Sequence, residues 1–318
     1  MWVYALAALA ALLLLRRWYR ERQTVPGLPE RFVLITGCDS GFGQRLALRL
    51  DALGLPVLAA CQSPDGAERL RAAASQRLQT LILDVTSSPS IAAAAAWVKE
   101  RVGDRGLWGL VNNAGVAVPA APNEWLSKDD FLKVINVNLI GLIEVTLSVL
   151  PLVRRAQGRV VNVSSVMGRV SFFGGGYCIS KFGVEAFSDS LRLDMRSFGV
   201  KVSVIEPGYF QTNITNAENI QKHFMAIWEK LPEDIKADYG EGYLKHFLES
   251  FRNMKNLCSP NLSLVTDCME HALTSRYPRT RYAAGWDAKL LYIPLSYAPS
   301  ALTDWVFAKH QPPPARRA

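Results

Sequence analysis

Phe32-Val33-Leu34-Ile35-Thr36-Gly37-Cys38-Asp39-Ser40-Gly41-Phe42-Gly43 sets the architecture. A short apolar run enters a turn holding three glycines, and a helix-forming segment through Leu50 follows. Apolar strand, glycine turn and helix open a β-α-β unit. Its glycines let backbone N–H groups approach a diphosphate at a helix N-terminus. The spacing is G-x-x-x-G-x-G rather than the commoner G-x-G-x-x-G, so the placement straight after a strand carries the reading. Thr36, Gly37, Asp39, Ser40, Gly41, Phe42 and Gly43 are the expected cofactor-side residues of this turn.

The next apolar run, Val57-Leu58-Ala59-Ala60, ends in Cys61-Gln62. The ribose-reading residue of such a unit lies just beyond its second strand. Cys61-Gln62 takes that place here, with no acid to accept from a ribose 2′-hydroxyl and no cation to pair with a 2′-phosphate. Asp39, inside the glycine turn, would repel an added phosphate. NAD is therefore expected over NADP.

Further strands are predicted at residues 80–85, ending near Asp84 and Val85, and at Gly109-Leu110-Val111, ending in Asn112-Asn113-Ala114-Gly115. Two more are expected at Arg159-Val160-Val161-Asn162-Val163, which delivers Ser164 and Ser165, and at Lys201-Val202-Ser203-Val204-Ile205, closed by Pro207-Gly208. Helix-forming segments at 68–75, 91–102 and 129–150 separate them, the last containing Asn138. The apolar runs lack period-two alternation, which predicts an α/β, doubly wound parallel sheet buried on both faces. Ligands in such sheets bind beyond the carboxyl ends of the strands, where these motifs converge.

Tyr177 and Lys181 stand four residues apart, on one face of a helix. A free phenol titrates near ~10, and a cation beside it lowers that value. The pair reads as proton-transfer machinery. Ordinary helices also produce such pairs, so its weight comes from the strand-end motifs around it.

The chain has 318 residues, 49% hydrophobic and 20% charged, with formal net charge +8. Much of the excess lies at the ends, in Arg16, Arg17, Arg20 and Arg22 and in Lys309, Arg316 and Arg317. That placement suits a membrane flank, and no nucleic-acid motif accompanies it. Residues 1–15 are apolar, and the positive charge follows the run, whereas a cleaved leader carries it in front. An uncleaved anchor with a cytosolic domain is expected. The alternative is a lumenal domain, in which Asn213 and Asn261 would be glycosylation sequons. Five cysteines without a C-x-x-C and four scattered histidines (His223, His246, His271, His310) predict no metal site. Between 213 and 258, Phe224, Met225, Trp228, Tyr239, Tyr243, Phe247 and Phe251 fit a helical lid over an apolar substrate. The tail is apolar with proline breaks, for core packing, a membrane face or a homodimer contact.

Together, Thr36-Gly37-x-x-x-Gly41-x-Gly43, Asn112-Asn113-Ala114-Gly115, Ser165, Tyr177-x-x-x-Lys181 and Pro207-Gly208 resemble the short-chain dehydrogenase/reductase family. TGCDSGFG, GLWGLVNNAG, GGGYCISK and PRTRYAAGWDAK look like its microsomal retinol and 3α/17β-hydroxysteroid dehydrogenases. The resemblance implies a Rossmann-type single domain. It assigns Tyr177 as the proton acceptor, Lys181 as the group that lowers its pKa and holds the nicotinamide ribose, and Ser165 as the substrate-oxygen donor, with Ser164 the lesser candidate. Asn138 would fix a relay water, Thr212 would meet the nicotinamide carboxamide, and Asp84 and Val85 would flank the adenine. Asn112, Ala114, Gly115, Pro207 and Gly208 complete the cofactor set. The implied division is anchor 1–22, linker 23–30, catalytic core 31–212, lid 213–258 and remaining core with tail 259–318. The implied activity is NAD-linked oxidation of a retinol or 3α-hydroxysteroid at the endoplasmic reticulum membrane. An NADP-linked carbonyl reductase and a non-catalytic membrane scaffold are the alternatives.

Overall fold

Strands and helices alternate along the computed structural model, which describes residues 1–309 and 311–316, and all but the side chains of Val3 and Lys255 among them. His310 and Arg317 lie outside the described residues. Helix α1 (Trp2–Glu21) precedes β1 (Val33–Thr36), α2 (Gly41–Ala52), β2 (Val57–Cys61), α3 (Pro64–Ala73), β3 (Gln79–Ile82), α4 (Ser88–Val102) and β4 (Gly109–Asn112). Next come α5 (Lys128–Ile135) and α6 (Leu142–Arg155), joined by a π-turn at Asn136–Gly141, then β5 (Arg159–Val163), α7 (Gly176–Asp194) and β6 (Lys201–Pro207). The chain closes with α8 (Ala217–Lys230), α9 (Glu233–Leu257), α10 (Ser263–Thr274), β7 (Arg281–Ala284), the short α11 (Ile293–Leu295) and α12 (Ser300–Ala308).

The strands form one seven-stranded sheet, ordered β3-β2-β1-β4-β5-β6-β7, with every neighbouring pair parallel. Successive strand residues enter opposite cores. Val33, Ile35, Val57, Ala59 and Val111 pack with Leu46 and Leu50 of α2 and Met269 and Leu273 of α10. Leu34, Leu58, Leu110 and Val160 pack with Val98 of α4 and Val149 and Val153 of α6. Burial of each such side chain contributes about 1.5–3 kcal/mol, which is why the apolar runs are continuous rather than alternating. The chain winds outward from β1 to β3 and returns beside β1 as β4. That reversal opens a crevice beyond the strands' carboxyl ends.

Lys128–Arg155 is apolar enough to cross a membrane by length and composition, but it packs on the sheet as a core helix. The predicted helix 129–150 is thus longer and interrupted by the π-turn. The predicted strand 80–85 is shorter, ending at Ile82. Ser127 caps α5, accepting from Asp130 N while the Asp130 carboxylate accepts from Ser127 N, an arrangement worth about 1 kcal/mol.

Helix α1 has 20 residues, about 30 Å at 1.5 Å per residue. It runs six residues beyond the apolar stretch, to Glu21, and takes in most of the basic flank. Trp2, Leu6, Leu9, Leu12 and Leu13 are exposed. The segment behind it, expected to be a plain linker, is docked: Thr24 bridges Ser275, Val25 N donates to Thr274 O (2.8 Å), and Arg276 N donates to Gln23 O (2.8 Å). His271, one of the scattered histidines, joins this junction through Tyr282 OH and Glu21 O.

Candidate active site

A cleft of about 520 Å³ lies across the carboxyl ends of β1, β4, β5 and β6. Its floor at one end is the glycine turn. Gly37 and Gly41 have φ of 69° and 63°, in the left-handed region where a side chain is strained. A Cβ on Gly43 would lie 2.4 Å from Gly37 O and 2.5 Å from Asn113 Nδ2. Gly43 therefore serves the turn from beneath and does not line the cleft. Helix α2 starts at Gly41 with no side-chain cap, leaving the positive end of its dipole open to the cleft. A diphosphate fits this cradle by charge and by space. Replacing Gly43 with alanine is expected to cost about 1–3 kcal/mol in the turn and to weaken dinucleotide binding by roughly 5- to 150-fold, read by fluorescence titration.

Thr36, Gly43, Cys61, Asn112 and Asn138, all expected at the site, stand behind the cleft wall. Thr36 is a clamp: its Oγ1 accepts from Asn113 N (3.0 Å) and Ala114 N (3.1 Å). Cys61 is a correction. The last residue of a strand buried on both faces, it is fully buried in the core, its carbonyl accepting from Leu83 N. Gln62 and Ser63 reach the cleft instead. Asn112 is a second correction. Its Nδ2 donates to Thr146 Oγ1 (2.8 Å) and Asn162 Oδ1 (2.9 Å), which ties β4 to α6 and β5. The residue after it was missed. Asn113 lines the cleft and donates to Thr36 O and Gly37 O, each at 3.0 Å. The doubled asparagine was the available signal, and strand alternation decides which of the two faces the turn.

At the adenosine end, Asp39 fills the gap left beyond β2. Its carboxylate accepts from Gln62 N (2.8 Å), Ser63 N (2.9 Å) and Ser63 Oγ (2.8 Å). Asp84 and Val85 line the same end. Asp84 accepts from Thr86 N and Oγ1, which holds its carboxyl below the usual range. Ser40 Oγ accepts from Asn213 Nδ2 (3.0 Å) across the cleft, and Thr212 faces Gly41. Ala114, Gly115, Pro207 and Gly208 line the middle.

Tyr177 lies in the first turn of α7, which enters through Gly175 at φ 100°. Its ring lines the cleft and stacks with Phe173 at 6.1 Å. Ser165, at the end of β5, hydrogen-bonds the phenol. Ser165 Oγ also accepts from Met167 N (3.1 Å), which orients the hydroxyl. Ser164 is turned under α7, its Oγ donating to Lys181 O (3.3 Å). Lys181 is buried, with Nζ donating to Val163 O (2.8 Å) and lying 5.7 Å from the Tyr177 ring centroid. Burial lowers the lysine to about 8, against the pull of Glu185. The expected lowering of Tyr177 is reversed here. Burial pushes the phenol up to about 12, the Ser165 hydrogen bond opposing it, because the ammonium is committed to the Val163 carbonyl. Asn138 is fully buried in the π-turn: Oδ1 accepts from Val116 N (2.8 Å), and Nδ2 donates to Val116 O (2.8 Å) and Ser180 Oγ (3.1 Å).

Behind the phenol lies an aromatic cluster. Phe172, Phe173, Tyr209, Tyr292 and Phe307 pack with Tyr177 about Val166, Met167 and Val170, so the tail supplies two of the rings. Six of the seven expected lid residues are elsewhere, packed on Trp125 or on one another: Phe224, Trp228, Tyr239 and Tyr243 lie 5.0–5.8 Å from the Trp125 ring, and Phe247 and Phe251 join Phe224. None of the seven lines the cleft. An aromatic helix face reads the same in sequence whether its rings meet a ligand or each other.

A strand-end glycine cradle beside a buried serine, tyrosine and lysine defines a dinucleotide-dependent oxidoreductase. The chain belongs to the short chain dehydrogenase family, whose pattern matches residues 31–223. It is similar to retinol dehydrogenase 16 of Homo sapiens, with 59% identity over 316 residues and 99% of each chain covered. It is also similar to 17-beta-hydroxysteroid dehydrogenase type 6 of Homo sapiens, at 57% identity over 316 residues and 99% of each chain. A solved short-chain dehydrogenase from Streptomyces avermitilis superposes with a TM-score of 0.67 at 27% identity, covering 88% of this chain and 97% of that one. The chain is an NAD(P)-dependent alcohol dehydrogenase using a nicotinamide dinucleotide.

Proposed function

We propose that this protein is a membrane-anchored, NAD-linked dehydrogenase of apolar alcohols, oxidising retinol, 3α-hydroxysteroids or both. The aromatic cluster packed against Tyr177 carries the substrate reading, since it flanks the polar end of the cleft at Tyr177 and Ser165 with apolar rings. Relatives named for retinol and for a hydroxysteroid support the two substrate classes. The proposed division is anchor 1–22, a docked connector 23–30, catalytic core 31–212, a helical segment 213–258, and a terminal part 259–318 that contributes to the aromatic cluster.

A bound nicotinamide ring would supply the hydride acceptor and, when oxidised, a positive charge that favours a neighbouring phenolate. Ser165 would donate to the substrate oxygen and set its distance from Tyr177. Tyr177 would take the hydroxyl proton as the carbinol hydrogen passes as hydride to that acceptor, so a ketone or aldehyde and one proton result. Lys181 would hold the ribose, and turning its ammonium from Val163 O would lend its charge to the phenol. The Asn138 side chain is engaged by Val116 and Ser180, so a place in the relay would fall to the backbone of the π-turn.

Asp39 supports NAD. Its carboxylate stands where a 2′-phosphate would arrive, with like charges about 4 Å apart costing ~1–4 kcal/mol. Asp39→Asn is expected to raise NADP affinity by roughly 10- to 100-fold with little change for NAD, read by titrating both cofactors. Unchanged NADP binding would return the choice to the NADP-linked reductase reading. The exposed apolar row of α1 supports a helical anchor at the endoplasmic reticulum. The Asn213 amide, bonded to Ser40 across the cleft, speaks for a cytosolic rather than a glycosylated lumenal domain. A turnover screen of retinols and 3α- and 17β-hydroxysteroids with both cofactors tests the substrate reading. Cofactor binding without turnover of any alcohol would sink it and restore the scaffold.

A further inference from the structure

A second concavity, of about 700 Å³, lies far from the chemistry, between the end of α1 and the amino-terminal edge of the sheet. Arg16, Arg17 and Arg20 face it from α1, and Lys201 and Arg276 face it from the body. The one carboxylate on its wall, Glu21, is held by Arg17 (2.8 Å) and Arg279, which keep it ionised with a pKa of about 2. Among the described residues, no carboxylate lies within 4.0 Å of Arg16, Arg20, Lys201 or Arg276. Tyr277 stands between two of these cations, its ring centroid 4.1 Å from the Arg20 guanidinium and 5.9 Å from that of Arg276. Such stacking fixes the cations in place without neutralising them. Leu13 closes the opposite end and continues into the exposed Leu12, Leu9 and Leu6.

We propose that this groove binds the phosphate-bearing headgroup of an anionic phospholipid, with the acyl chains lying along the apolar row of α1. The proposal rests on the anchor reading of that helix. A ligand with a compact anionic head and an apolar tail matches both ends of the groove. A free anion leaves the leucine row bare, and a polyanion has no use for it. Lys201 and Arg276 belong to the sheet and to the loop before β7, so an occupied groove would lock the angle between anchor and catalytic domain. Each basic residue at a membrane surface contributes about 1 kcal/mol toward acidic lipid.

The test is partition of the full-length chain between buffer and vesicles of phosphatidylcholine, with and without phosphatidylserine, at low ionic strength. Wild-type protein is compared with Lys201→Glu/Arg276→Glu. Phosphatidylserine is expected to strengthen wild-type binding by roughly tenfold or more, and the double variant to lose most of that gain while keeping NAD-linked activity in detergent. Equal binding to both vesicles would overturn the groove and leave the anchor standing. A phosphatidylserine gain that survives in the double variant would overturn it too, by placing the contact elsewhere. Abolition of the gain by inorganic phosphate, with ionic strength held by chloride, would replace the lipid with a free anion. Wild-type binding only to acidic vesicles would remove the anchor reading, and the proposal with it.

Discussion

Tyr177→Phe is expected to lower kcat for alcohol oxidation by about 10²- to 10⁴-fold, with NAD affinity nearly unchanged. The ring is kept, along with its stacking on Phe173 and its place over Val166 and Met167, so the fold bears little cost. What is lost is the one hydroxyl that Ser165 addresses at the end of the cleft. Lys181 cannot replace it, because its ammonium is turned to Val163 O. The pH profile separates a base from a packing residue. Burial holds the phenol protonated across neutral pH, near 12, so oxidation should climb as pH rises toward that value, while carbonyl reduction, which uses the protonated phenol, should stay flat. In the phenylalanine variant the slope of oxidation should vanish. A rate within a few-fold of wild type, measured by nicotinamide absorbance, would remove Tyr177 from the chemistry.

Arg281→Met should produce the largest loss of stability, about 3–5 kcal/mol, or roughly 6–20 °C in Tm. Arg281 donates to Glu185 (3.1 Å) and Asp189 (2.7 Å) on α7 and lies 3.8 Å from Glu206 on β6. Arg169 pairs with Glu206 at 2.9 Å, but among the described residues no other cation lies within 4.0 Å of Glu185. Removing Arg281 strands a buried carboxylate one turn below Lys181, so kcat should fall with stability. Burial first, and Glu206 second, already raise the Glu185 carboxyl. A raised folded-state pKa means the folded chain binds the extra proton, so that contribution is present below the ordinary carboxylate range and is lost as pH rises. The deficit of the variant should therefore shrink near pH ~5 relative to pH ~7.5, in paired thermal melts. A pH-independent deficit would assign Arg281 a packing role instead.

The sheet was legible because its cause is local. Val33 to Ile35 and Val160 to Val163 must be apolar at every position to sit between two helical layers, and that leaves a continuous run in the sequence. Tyr177, Lys181 and the glycine turn were legible because helix spacing and backbone close approach restrict residue type. Cys61 and Asn112 were misplaced for one shared reason. A motif residue at a strand end points either into the cleft or into the core, and the one-residue alternation that decides this is set by pairing with β3 and β5. The lid aromatics, the tail's part in the aromatic cluster through Tyr292 and Phe307, and Asp39 bonding at the end of β2 all depend on contacts between distant segments. No spacing within a segment records them.

The most direct test follows the hydrogen itself. Retinol or a 3α-hydroxysteroid carrying deuterium on its carbinol carbon is turned over by the full-length protein with NAD, and the reduced cofactor is examined by mass spectrometry. The account predicts that deuterium appears in the reduced nicotinamide in proportion to carbonyl product, and that Tyr177→Phe suppresses both together. Carbonyl product without label in the cofactor, or label transfer undiminished in Tyr177→Phe, would contradict it.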